Sequence, residues 1–145
     1  MHGPDNNPVA EDMKIDVPRN LQWVQGPEWI SSHNLNPGVS AMVSSGGRVF
    51  SIINEMPPGI KAAEDKWMLT ARDAFNGLVL WERPIESWFN HLWPLKDGPA
   101  QPPRRLVAAG DCVYVTLGLR EPISQLDGAT GETLRTFEGT NNTWE

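Results

Sequence analysis

The chain has 145 residues, 39% of them hydrophobic and 21% charged, a balance that supports a packed core and excludes a disordered tail. Its formal net charge is −6, and its 12 Lys and Arg residues are scattered. That excludes the basic stripe that nucleic-acid binding needs and disfavours anionic membrane surfaces. No apolar run approaches the roughly eighteen residues of a spanning helix, so membrane insertion is not expected, and Met1 to Pro8 carry no signal-peptide pattern.

Cys112 is the only cysteine, so no intrachain disulfide forms. Thirteen Pro and 13 Gly punctuate the chain too often for long helices, and 7 Trp supply large packing units. Together these counts predict many short strands joined by turns.

In chain order, residues 1–38 read as an N-terminal arm, extended over the first nineteen residues, and Asn20-Leu21-Gln22-Trp23-Val24, the closing strand of an incomplete preceding sheet. Val39 to Val43 alternates, Ser44-Ser45-Gly46-Gly47 turns, and Arg48 to Ile53 is rich in β-branched and aromatic residues, so the two segments form a hairpin. A polar, Pro-containing loop runs from Asn54 to Asp65. Trp67 to Asp73 is a third strand, Ala74-Phe75-Asn76-Gly77 a turn with an Asn-Gly pair suited to positive φ, and Leu78 to Glu82 a fourth strand. Residues 39–85 are thus one four-stranded meander. Residues 86–103, with Trp88, Phe89, His91 and Trp93, form a Pro- and Trp-rich connection, and residues 104–145 make a second meander starting near Arg105.

The second meander repeats the first. Val43-Ser44-Ser45-Gly46-Gly47-Arg48-Val49-Phe50 matches Val107-Ala108-Ala109-Gly110-Asp111-Cys112-Val113-Tyr114 at an offset of 64, counted from Val43 to Val107. Leu69 to Leu80 matches Ile123 to Leu134 at an offset of 54, counted from Asp73 to Asp127. The offset changes because the loop containing Pro57, Pro58 and Gly59 is longer, and loop closure entropy grows slowly with length. Repeats of about 40 to 50 residues, each a four-stranded sheet, are the signature of β-propeller blades. The expected fold is all-β: a partial β-propeller of two four-stranded antiparallel blades plus an end strand of another.

Ala71-Arg72-Asp73-Ala74-Phe75-Asn76-Gly77-Leu78-Val79-Leu80-Trp81 resembles the tryptophan-docking motif of pyrroloquinoline quinone (PQQ) repeats, Ala-x-Asp-x-x-Thr-Gly-x-x-x-Trp. Leu126-Asp127-Gly128-Ala129-Thr130-Gly131-Glu132-Thr133-Leu134 is similar to a second copy. The resemblance implies that Asp73, Asn76, Gly77, Trp81, Asp127, Thr130 and Gly131 are structural docking residues, with Arg135 replacing the tryptophan of the second copy. The residue types suit such a corner. An Asp accepts backbone N–H groups of the following turn, a Gly closes it at positive φ, and a Trp offers a broad ring.

In this family a quinone site needs one complete ring, with Ca²⁺ and often a disulfide of adjacent cysteines. No cofactor is therefore expected in this chain, and PQQ and calcium enter only if it belongs to a complete quinoprotein ring. The resemblance implies a non-catalytic protein- or ligand-binding scaffold, similar to propellers that assist outer-membrane protein assembly, in a bacterial periplasm or cell envelope. Its expected partners are the remaining blades of a longer propeller or other subunits. The alternatives are a fragment of a PQQ-dependent dehydrogenase and a carbohydrate-binding module using Trp88 and Trp93, whose type is common at binding hot spots. His2, His33 and His91 have no ligand spacing, Ser44 to Gly47 lacks the ending of a phosphate loop, and Cys112 has no histidine nearby in sequence, so no metal or catalytic residue is expected.

Overall fold

A computed structural model of the chain describes residues 20–24, 39–55, 66–86, 105–118 and 120–141. These contain two four-stranded antiparallel sheets and no helix. In the first, β1 (Val39–Ser45), β2 (Arg48–Asn54), β3 (Trp67–Asp73) and β4 (Val79–Ile85) pair in sequence order. In the second, β5 (Leu106–Ala109), β6 (Cys112–Thr116), β7 (Ile123–Asp127) and β8 (Thr133–Phe137) do the same. Each sheet is a simple meander, which short turns between neighbouring strands make the cheapest connection.

The strands follow the expected runs, with β4 extending further, across Pro84. That proline has no N–H to donate, and it is tolerated because β4 is an edge strand. Glu55 and Lys66 close the base of the loop between β2 and β3: the Glu55 N–H donates to the Lys66 carbonyl at 2.8 Å, and Lys66 Nζ to Glu55 Oε2 at 2.7 Å. The equivalence of the two sheets extends to the irregularity between their third and fourth strands. The register shifts opposite Ala71 and Arg72, leaving Leu80 of β4 unpaired, and opposite Gln125 and Leu126, leaving Leu134 of β8 unpaired, positions related by the same offset of 54. Residues 20–24, expected to close a preceding sheet, pair in neither of these two.

Because side chains alternate along a strand, the register divides each sheet into two faces. Phe50 pairs with Ala71 and Ala71 with Trp81, while Ile52 pairs with Leu69, so these five residues share one face of the first sheet. Leu106, Val113, Val115 and Leu126 share one face of the second. The two faces meet in a single core, in which Phe50, Ile52, Leu69, Ala71, Leu106, Val113, Val115 and Leu126 are all buried. Full burial of such side chains contributes about 1.5–3 kcal/mol each, which makes this contact the main source of stability. The strands of different sheets that approach most closely are the first ones, β1 and β5.

The faces that meet are unlike. Under the repeat alignment Phe50, Leu69, Ala71 and Trp81 correspond to Tyr114, Ile123, Gln125 and Arg135, which lie on the other side of the second sheet. A two-fold pairing of sheets would bring corresponding faces together. Here the front of one sheet meets the back of the other, a head-to-tail relation between unlike faces.

Candidate functional site

The residues singled out in the sequence gather at the turns between third and fourth strands. In the first sheet, Asp73 Oδ1 accepts the backbone N–H groups of Phe75 (2.8 Å) and Asn76 (3.0 Å), and Asn76 Oδ1 accepts that of Leu78 (2.9 Å). The Gly77 N–H donates to the Asp73 carbonyl at 2.9 Å, with Gly77 at φ 74°. In the second sheet, Asp127 Oδ1 accepts from Ala129 (2.8 Å) and Thr130 (2.9 Å), Thr130 Oγ1 from Glu132 (3.2 Å), and the Gly131 N–H donates to the Asp127 carbonyl at 2.8 Å with φ 75°. The carboxylate thus satisfies amides that no strand partner can reach, which is why Asp begins the turn. Bonds from the Thr130 and Ala129 amides hold the Asp127 carboxyl below its usual value.

Each corner carries a tryptophan from elsewhere in the chain. The Trp81 ring lies over Gly131 of the second sheet, and its Nε1 donates to the Gly128 carbonyl at 3.0 Å. Trp23 lies over Gly77 in the same manner, with Nε1 donating to the Ala74 carbonyl at 3.0 Å. Ala74 and Gly128 are corresponding positions, so Trp23 stands to the first sheet as Trp81 stands to the second. A Cβ at Gly131 would lie 2.7 Å from Trp81 Cδ2, and one at Gly77 would lie 2.8 Å from Trp23 Cδ2. Glycine is therefore required twice over at these positions, for positive φ and for the seated ring.

The docking residues fall into two groups. Asp73, Asn76 and Gly77 hold the Trp23 corner; Asp127, Thr130 and Gly131 hold the Trp81 corner. Arg135, at the tryptophan position of the second repeat, is exposed, with its guanidinium carbon 4.8 Å from the Phe137 ring centre. Trp88, Trp93, His2, His33 and His91 lie outside the described residues. Cys112 is half-buried on β6 and accepts a 3.1 Å contact from Gln125 Nε2. Among the described residues no group of three His, Cys, Asp or Glu side chains gathers that would hold a metal ion, and no helix is long and apolar enough to cross a membrane.

Sequence reasoning missed several polar contacts at the junction. Arg83 donates to the Gly131 carbonyl (2.9 Å) and to Thr133 Oγ1 (2.8 Å). Ser45 Oγ donates to the Gly110 carbonyl at 2.8 Å, and Arg48 pairs with Asp111 at 3.4 Å. Phe50 stands beside Trp81, ring centres 5.9 Å apart, and reaches Gly128. Strand periodicity carried one usable signal: Arg83 lies two residues after Trp81 and so shares its face.

Compared with family models and with curated protein sequences, the chain matches none.

Proposed function

We infer that the chain is a non-catalytic scaffold: two neighbouring blades of a PQQ-like repeat β-propeller whose sheets present loops and outer faces to protein or ligand partners. One observation carries the reading. Two tryptophans, Trp23 and Trp81, seat on corresponding corners with the same indole-to-carbonyl bond and the same ring-over-glycine contact. Head-to-tail packing of unlike faces, closest along the first strands, is what successive blades around an axis require. The docking residues act by fixing one sheet on the next and take no part in chemistry.

Amide hydrogen exchange tests the modular junctions. Trp81→Ala should raise exchange at Asp127 and Gly131 while sparing Asp73 and Gly77, and Trp23→Ala should do the reverse. Uniform loosening by either variant contradicts the repeat reading. A ligand arm separates function from fold: after mixing with PQQ and Ca²⁺ and gel filtration, the scaffold retains no quinone absorbance. Retained quinone with dye-linked alcohol oxidation would favour a dehydrogenase instead. Oligosaccharide quenching of tryptophan fluorescence, lost in Trp93→Ala, would favour carbohydrate binding.

A further inference from the structure

The outward face of the second sheet corresponds, residue for residue, to the face by which the first sheet grips its neighbour. Phe50, Leu69 and Ala71 are 1%, 0% and 0% exposed because the second sheet covers them. Their counterparts Tyr114, Ile123 and Gln125 are only half-buried, with Thr116 already covered at the Ile52 position. Tyr114 and Phe137 stand 6.4 Å apart on this face, and Val107 is 45% exposed.

Charge decides what fits there. The established junction is already gripped by arginines: Arg83 bonds the Gly131 carbonyl, and Arg48 pairs with Asp111. A corner that begins with Asp and exposes turn carbonyls accepts a guanidinium as well as an indole, and Arg135 makes no ion pair among the described residues. We propose that the face bearing Tyr114, Ile123, Gln125 and Arg135 docks a further four-stranded sheet with an Asp-x-x-x-Gly corner, and that Arg135 replaces tryptophan as the group seated on it. Arg135 already lies over this face, its guanidinium carbon 4.8 Å from the Phe137 ring centre. The inference rests on the repeat reading and adds to it the partner of one face and a salt-sensitive mode of attachment.

The test uses the full chain carrying Trp23→Ala, which removes the ring from the Asp73–Gly77 corner, so that one copy offers the corner and another offers Arg135. Two different surfaces on one copy associate head to tail, producing rings or open chains. Sedimentation should show species larger than the monomer. Cys112, the only thiol and on the same face, should react with a maleimide several-fold more slowly as protein concentration rises. Both effects should vanish in the Trp23→Ala/Arg135→Ala double variant and weaken at high salt.

A folded Trp23→Ala chain that stays monomeric with concentration-independent labelling overturns the proposal, as does association indifferent to Arg135→Ala. If Trp23→Ala fails to fold, Trp23→Leu, which removes the aromatic ring and the donor to the Ala74 carbonyl while keeping apolar bulk, is judged by the same outcomes. Failure with the Trp81 junction intact removes only the Arg135 grip. Loss of protection at Gly131 in the unaltered chain would instead remove the repeat reading.

Discussion

Gly131→Ala puts a methyl group where the Trp81 ring already lies. The added Cβ meets Trp81 Cδ2 at 2.7 Å and Cε3 at 2.8 Å, and the backbone stands at φ 75°. Left-handed geometry costs a non-glycine residue about 1–2 kcal/mol, and forcing a carbon into a packed contact costs about 1–3 kcal/mol more. The expected loss is therefore roughly 2–5 kcal/mol, a large share of a small domain's stability. Gly110→Ala is the internal control: φ is 57° but nothing lies within 4 Å of its Cβ, so only the first cost applies.

Urea unfolding of both variants measures the difference, which should lower the Gly131→Ala midpoint by about 1 M relative to Gly110→Ala at unchanged slope. In a Trp81→Ala background the extra penalty should disappear, since the ring that causes it has gone. Equal midpoints for the two glycine variants would refute the seated-ring account.

Other outcomes follow from the same geometry. Trp81→Ala should cost about 3 kcal/mol, near the low end for large aromatic truncations because the ring is only half-buried; Trp81→Phe should lose about 1 kcal/mol for the bond to the Gly128 carbonyl, both read by thermal unfolding. Arg83→Lys should lose one of its two acceptors at Gly131 and Thr133 and cost about 1 kcal/mol, read as a urea midpoint, with an unshifted midpoint contradicting the paired contacts. The Asp127 carboxyl sits below its ordinary value when folded, so its contribution is fully present above the unfolded value and is lost as pH falls through the folded one. Asp127→Asn should accordingly flatten the fall in stability below about pH 4, measured as urea midpoint against pH; an unaltered acid limb would show the carboxylate is not the group responsible.

Both hairpin meanders were legible because their signals are local. Alternating Val, Phe and Ile around Gly46-Gly47 fix the β1–β2 register, and Asp-x-x-x-Gly fixes the corner, since the Asp oxygen reaches amides only two and three residues ahead. The repeat made the second sheet readable from the first. Contacts across 47 or more residues left no such trace: Trp81 to Gly128, Arg83 to Gly131 and Ser45 to Gly110 depend on how two finished sheets lie together. Residues 20–24 show the same limit. Their residue types suit a strand, and they pair in neither described sheet, but the docking of Trp23 on a corner 51 residues away left no trace in the sequence.

The head-to-tail junction is tested most directly by nuclear Overhauser contacts from the tryptophan side chains, assigned through single Trp→Phe variants. The indole of Trp81 should contact the α-protons of Gly131 and the indole of Trp23 those of Gly77, with both N–H groups protected from exchange. Contacts of either ring to its own sheet's corner, or two freely exchanging indoles, would contradict the account.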